Sequence, residues 1–207
     1  MKLHLIALAG LLAAALPAQA VLVNSAVAIP APTVTVDFEA YDGFLTSGPV
    51  VLSTAVTFTG DADSELGAFN RDLGANGLWG VGNRFAASGF VGELRFTFAS
   101  LSGGAGAFVN HFADGVLPFA VVVSAYGDNN QIIETQTISV NTAVDGYNEG
   151  LFLGIARSEA DIRSLSFKGV GVVVDNLSIA VPVPEPQTYA LMLCGLGLIG
   201  WLARRRG

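Results

Sequence analysis

The stretch Glu93-Leu-Arg-Phe-Thr-Phe98 decides the fold, because apolar and polar residues alternate in it without a break. Leu94, Phe96 and Phe98 would face a core while Arg95 and Thr97 face solvent, as in a half-buried β-strand. Similar short apolar or alternating segments occupy residues 33–38, 50–58, 107–112, 119–126, 131–140, 151–155, 162–167 and 170–179. Between residues 21 and 182, apolar residues do not recur at helical spacing over several turns. About nine short strands predict a mainly β protein, a single antiparallel β-sandwich of the jelly-roll type.

The beginning of the chain reads as an export leader. Met1-Lys2 is weakly positive, residues 3–16 are mostly apolar, and Ala18-Gln19-Ala20 is a small-x-small cleavage site. The apolar stretch is short and ends in Pro17, which favours a cleaved helix over a permanent anchor. We therefore predict a signal peptide over residues 1–20, passed through the Sec translocon and cut after Ala20 by signal peptidase.

The end of the chain has a different pattern. Prolines at 182, 184 and 186 hold a short extended motif, Val183-Pro-Glu-Pro186, ahead of an uncharged apolar run. The 17 uncharged residues 187–203 would span about 25 Å as a helix, the short end of what a bilayer core accepts. Arg204, Arg205 and Arg206 follow and should stay cytoplasmic. These features predict a sandwich body over 21–181 and a sorting and transmembrane anchor segment over 182–207.

In this order, residues 183–207 resemble the PEP-CTERM sorting signal of Gram-negative bacteria. The resemblance implies that Pro184, Glu185 and Pro186 are recognised by an exosortase-type membrane protease, which removes the apolar helix. The protein would then be held transiently in the inner membrane before it reaches the cell surface or the extracellular matrix. In that family the sorting system accompanies exopolysaccharide production, so a biofilm or envelope matrix is the expected setting.

Composition excludes several functions for the body. Residues 21–182 carry 16 acidic and 6 basic side chains, a net charge of −10, which argues against nucleic acid as a partner. The only cysteine, Cys194, lies in the tail, so the body has no thiolate nucleophile and no disulfide. His111 is the single histidine of the body, and its alternating, strand-like context predicts a surface or edge-strand residue. We expect no catalysis.

Acidic residues suggest a structural calcium ion as a possible cofactor. Asp37, Glu39 and Asp42 lie at the end of the first strand of the body, Asp175 and Asn176 lie in the last, and such strands are neighbours in a jelly roll. Calcium prefers six to eight oxygen ligands. A second candidate is Asp61-Ala-Asp63-Ser-Glu65, with alternate spacing but without the complete EF-hand pattern. The alternative for both is that these carboxylates are simply solvated.

Residues 60–92 are rich in glycine and predict a long loop, where a sandwich often carries its site. Trp79 lies there near Asn76, Asn83 and Arg84, a combination that suits a sugar ring. The alternative is a loop residue folded over one end of the core. Two functions follow for the body: a non-catalytic structural or interaction protein, or a calcium-supported carbohydrate-binding module that contacts exopolysaccharide.

Overall fold

A computed structural model describes residues 20–31, 33–69, 71–72, 78–79, 84–111, 120–140, 147–148 and 150–181, together with 192–196, 199 and 204 of the tail. The described chain is mainly β. Its strands are β1 Ala20–Val23, β2 Thr33–Val36, β3 Phe44–Leu45, β4 Val50–Ser53, β5 Val56–Thr59, β6 Glu65–Ala68, β7 Arg71–Asp72, β8 Leu78–Trp79, β9 Phe85–Ala87, β10 Val91–Ser102, β11 Gly104–Asn110, β12 Ala120–Tyr126, β13 Ile132–Ser139, β14 Tyr147–Asn148, β15 Leu151–Arg157, β16 Ile162–Val170 and β17 Val173–Ala180. A short 3₁₀ helix covers Ala26–Ala28.

Most strands belong to two antiparallel sheets. The first has eight strands in the order β1-β15-β11-β17-β9-β6-β3, with β2 also paired to β17. The second has six strands in the order β13-β12-β16-β10-β5-β4. A third, small sheet joins β14, β8 and β7, and its β14–β8 pair is parallel. The antiparallel two-sheet architecture agrees with the prediction, whereas the jelly-roll connectivity stays a prediction.

The core lies between the inner faces of the two large sheets. Phe96 of β10 is fully buried, and its ring centroid lies 5.9 Å from that of Phe38 and 5.7 Å from that of Phe58. The eight-stranded sheet contributes buried residues such as Leu153 and Leu177 to the same cluster. Burial of these apolar side chains stabilises the fold, which has no disulfide bond.

Two predicted segments differ from the structure. The single strand predicted over 50–58 is a hairpin, because Thr54 and Ala55 form a turn in which Ser53 Oγ accepts the Ala55 N–H at 3.2 Å. The loop predicted over 60–92 contains β6 and β9, which pair through Leu66 and Ala86 inside the eight-stranded sheet. Small alanine and glycine side chains give no β-branched signal, so the sequence pattern did not reveal these strands.

The tail is described only in part. Residues 192–196 are helical, and the exposed fractions of Met192, Leu193, Leu196 and Ile199 lie between 56% and 65%. No helix among the described residues is both long and apolar enough to cross a bilayer. The transmembrane helix and the signal-peptide helix therefore remain predictions, and residues 1–19 lie outside the described part of the chain.

Candidate functional site

The C-terminal tail leaves the body at the end of β17, which lies in the middle of the first sheet. Ala180 pairs with Thr33 of β2, and its neighbour Ile179 pairs with Ala105 of β11. The buried hydroxyl Ser102 Oγ lies 2.8 Å from the Ala180 carbonyl oxygen. A groove of about 190 Å³ lies beside this strand end, between residues 54–55, 98–100 and 179–181. The chain is thus held firmly up to the residue before Val181.

The motif itself lies beyond this anchored point. Pro184, Glu185 and Pro186 lie outside the described residues, as do Ala18, Arg205 and Arg206. Arg204 is exposed and helical. Ala20, the expected last residue of the leader, is the first residue of β1 and pairs with Arg157. The cleavage prediction therefore falls at the beginning of an edge strand.

The first acidic cluster is organised around an arginine. Asp42 forms an ion pair with Arg84 at 2.6 Å, and the Arg84 backbone N–H donates to Glu39 Oε1 at 2.8 Å. Asp37 Oδ1 accepts the backbone N–H of Glu39 at 3.2 Å. The guanidinium of Arg84 also donates to the Gly67 carbonyl oxygen at 3.1 Å. These carboxylates are therefore occupied by protein donors, with Arg84 supplying the positive charge.

Asp175 lies fully buried at a bulge of β17. Asn176 has a φ of 49°, and the register between β11 and β17 shifts there. The Asp175 carboxylate accepts the Asn176 backbone N–H at 2.7 Å and its side-chain N–H at 3.2 Å. Within the described part of the chain, no three His, Cys, Asp or Glu side chains gather so that they could hold a metal ion. Calcium binding by Asp37, Glu39, Asp42 and Asp175 stays a prediction.

The second acidic candidate clamps two loops together. Asp61 accepts the backbone N–H of Asp63 at 2.9 Å and that of Gly89 at 3.1 Å. A Cβ added at Gly92 would lie 2.0 Å from Asp61 Oδ2, so only glycine fits beside this carboxylate. Asp61 thereby ties the turn after β5 to the turn before β10.

Trp79 lies in the third sheet, and only its backbone position is described. It pairs with Arg71 of β7 on one side and with Asn148 of β14 on the other. Tyr147 is paired with Leu78, one position away. The fold thus brings two aromatic residues and several polar ones, from segments 70 residues apart, into one small sheet.

The structure also places a polar cluster that the sequence did not reveal, on the outer face of the second sheet. Arg95 donates to Ser164 Oγ from Nε at 2.9 Å and from Nη2 at 2.7 Å, and Nη2 also contacts Asn130. Its guanidinium lies 3.9 Å from the ring centroid of Tyr126, a cation–π contact. Tyr126 donates to Glu93 at 3.4 Å, and Glu93 and Arg95 line a groove of about 250 Å³. The alternation at 93–98 placed Arg95 outside but could not identify its partners.

The prediction that His111 is a surface or edge-strand residue is wrong, because His111 follows β11, a central strand of the first sheet, and is buried. Its exposed fraction is 2%, and its Nε2 lies 3.1 Å from the Val140 carbonyl oxygen. The backbone N–H of His111 donates to Asn110 Oδ1 at 2.9 Å. The imidazole therefore ties β11 to the end of the β13 segment.

Comparison with known proteins identifies a sorting motif in the tail. The family model of the PEP-CTERM protein-sorting motif matches residues 182–206. No curated protein matches the chain. The motif implies an exported protein that is processed at the membrane by an exosortase-type enzyme. The chain is therefore a protein that carries a PEP-CTERM sorting motif at residues 182–206, directly after the last strand of its β-sheet body.

Proposed function

We propose that residues 21–181 are the exported cargo of this sorting system, with a non-catalytic structural or interaction role at the cell surface or in the extracellular matrix. The role is linked to exopolysaccharide or biofilm. The observation that supports it is the order of parts: β17 closes the core, and the sorting motif begins two residues later. The described tail residues from Met192 to Leu196 are largely exposed and do not pack into the core. A removable tail and a self-contained body are what such a cargo requires.

The side chains of the body support a role without catalysis. Its only histidine, His111, is buried against a backbone carbonyl, and the only cysteine, Cys194, lies in the tail. Nucleophilic catalysis by a Ser-His or Cys-His pair would have to use this histidine. The body is also strongly acidic, so the matrix partner we propose is a neutral or hydroxyl-rich polymer, not a polyanion.

Mass spectrometry of the mature protein from its host tests the sorting. We expect a mass that lacks residues 1–20 and the apolar helix with Arg204–Arg206. A Glu185→Ala variant, which loses the one charge of the motif, should accumulate with the tail attached. An intact tail in the mature wild-type protein would reject the proposal. Turnover of glycoside or ester substrates by the purified mature protein would reject its non-catalytic part.

A second candidate function is carbohydrate binding, and the third sheet favours it. Trp79 shares its register position there with Arg71 on one side and Asn148 on the other, so these three residues belong to one face of the sheet. Aromatic platforms with adjacent polar groups are typical of sugar-binding surfaces. In this reading a calcium ion would support the loops, and Asp37, Glu39, Asp42 and Asp175 would have to exchange their present protein donors for it.

Binding of the host's purified exopolysaccharide and of a glycan array tests this candidate. Trp79→Ala should weaken binding by about tenfold, since one aromatic stacking partner contributes about 1–2 kcal/mol. Phe90→Ala, at an aromatic residue that is 69% exposed outside the third sheet, serves as the matched control. Equal binding by both variants and the wild type would show that Trp79 does not contact the sugar. A melting temperature that a chelator does not change would exclude the calcium ion.

A further inference from the structure

Both described ends of the body leave the fold at the same end of the first sheet. One row of register partners crosses four strands, with Leu22 opposite Ile155, Ile155 opposite Ala105, and Ala105 opposite Ile179. Strand β1 begins, and strand β17 ends, on the same side of this row. The two ends lie three strand spacings apart, about 14 Å. The leader and the sorting tail are therefore attached to one end of the body.

We call this end the exit pole and define it by residues 54–55, 99–103, 128–130, 158–161 and 180–181. The second sheet contributes to it because Phe98 of β10 pairs with Val56 at the beginning of β5. Close to the tail its exposed side chains are small and uncharged, namely Thr54, Ala99 and Ser100.

Further from the tail, two arginines next to the exit pole form ion pairs with its aspartates. Arg157 contacts Asp161 at 2.6 Å, and this hydrogen bond raises the pKa of Arg157. Arg163 contacts Asp128 at 2.6 Å, and its Nη1 donates to the Phe98 carbonyl oxygen at 3.0 Å. The pole thus presents a small-residue surface around the tail, bordered by paired charges.

The short chain between the body and the motif limits the distance between the enzyme's active site and the body. Ala180 is held by pairing with Thr33 of β2 and by Ser102, and Pro184 follows four residues later. Four residues reach at most about 14 Å when fully extended. An active site that holds Pro184 must therefore come within this distance of Ala180. A single transmembrane helix with its side chains is already about 10 Å wide, so the enzyme surface must extend over the exit pole.

We propose that the exit pole is the surface with which the body contacts the exosortase-type enzyme while the tail is cut. The inference rests on the proposed sorting and adds to it the face that the enzyme meets. Small, uncharged side chains around the tail allow the close approach that the short connection demands. The opposite end of the body, which carries Asp37, Glu39, Asp61 and Asp63, points away from the enzyme during the reaction.

Steric variants of the full-length chain, expressed in its host, test the proposal. Ala99→Tyr with Ser100→Tyr enlarges the exit pole without adding charge. Ala40→Tyr with Ser47→Tyr makes the same changes at exposed positions of the opposite end. Conversion of precursor to product is followed by pulse-chase and immunoblot. We expect the pole variant to be processed about tenfold more slowly, since overlap of this size is typically that costly, and the control at the wild-type rate.

A linker distinguishes contact with the enzyme from other causes. Eight Gly and Ser residues inserted between Val181 and Pro182 add up to about 27 Å of reach. In the pole variant this insertion should restore the wild-type rate, because the enzyme no longer meets the pole. Slowing that the linker does not relieve would overturn the proposal, since it would reflect misfolding.

Two further outcomes also count against the inference. A pole variant processed at or above the wild-type rate would overturn it, and a faster rate would indicate that the pole rests on lipid, where tyrosine is favourable. A wild-type chain that is never processed would overturn the sorting itself. Processing of the wild-type chain therefore distinguishes failure of the pole contact from failure of the sorting itself.

Discussion

Replacing Asp61 by alanine should open the contact between two turns of the body. The carboxylate accepts the backbone N–H of Asp63, which is local, and that of Gly89, which is 28 residues away. Removal of the side chain leaves the Gly89 N–H without this acceptor in a partly buried position. We therefore expect Asp61 to act as a structural clamp, in contrast to the calcium ligand that its spacing with Asp63 and Glu65 suggested.

The size of the effect follows from the two hydrogen bonds. A hydrogen bond to a charged group contributes about 1.5–3 kcal/mol when buried. Asp61 is half-buried, so about 1 kcal/mol for each bond is appropriate and the free energy of unfolding should fall by about 2 kcal/mol. For a domain of this size that corresponds to a melting temperature lower by about 4–8 °C. Asp63→Ala, at an exposed carboxylate of the same turn, should change stability by less than about 0.5 kcal/mol.

A double-mutant cycle with Gly92 sharpens the test. Gly92→Ala places a methyl group against Asp61 Oδ2 and should cost about 1–3 kcal/mol on its own. In the Asp61→Ala background the closest obstacle is absent and only Ser88 Cβ, at 2.9 Å, remains close, so the second substitution should cost at least about 1 kcal/mol less.

Thermal unfolding of the purified full chain, with and without chelator, provides the readout. Additive effects of the two substitutions would contradict the clamp. A chelator that destabilises the wild type but not Asp61→Ala would contradict it too, and would assign calcium to this carboxylate.

Three further substitutions test the core and the anchoring of the tail. Phe96→Ala removes a fully buried ring and should lower the free energy of unfolding by about 3–5 kcal/mol in urea titrations; a loss below 1 kcal/mol would show a loosely packed centre. Ser102→Ala should cost about 1–3 kcal/mol and increase hydrogen exchange at the amides near Ala180, since a buried hydroxyl partner is lost. Asp175→Ala should cost about 2–3 kcal/mol because Asn176 loses both hydrogen bonds at the bulge, and unchanged stability would show that the carboxylate has no part in holding it.

Much of the fold could be predicted because strand alternation is a local property. Leu94, Phe96 and Phe98 are buried at 0%, 0% and 3% exposure, as their period of two indicated. The hairpin within 50–58 was missed, because Ser53-Thr54-Ala55 has no glycine, asparagine or aspartate to mark a turn. The strands around Leu66 and Ala86 were missed because their burial depends on β17, which is remote in sequence.

The candidate site also has one part that the sequence could reveal and another that it could not. Pro184-Glu185-Pro186, the apolar run and the three arginines form a linear motif, so order in the sequence suffices to identify it. Asp42 and Arg84, or Arg95 and Tyr126, meet only because separate strands are placed side by side. Side-chain identity alone could not show whether these carboxylates face a cation, a guanidinium or water.

The sequence by itself determined the strand-rich body, the acidic balance and the sorting tail, because alternation, charge and a linear motif are each carried by neighbouring residues. Only the tertiary structure decided which carboxylates are used internally, how Trp79 meets Asn148, and that Ala20 and Ala180 lie at the same end of one sheet. The physical reason is that strand register and sheet order are set by packing between distant segments, whose hydrogen bonds are the same for any side chain.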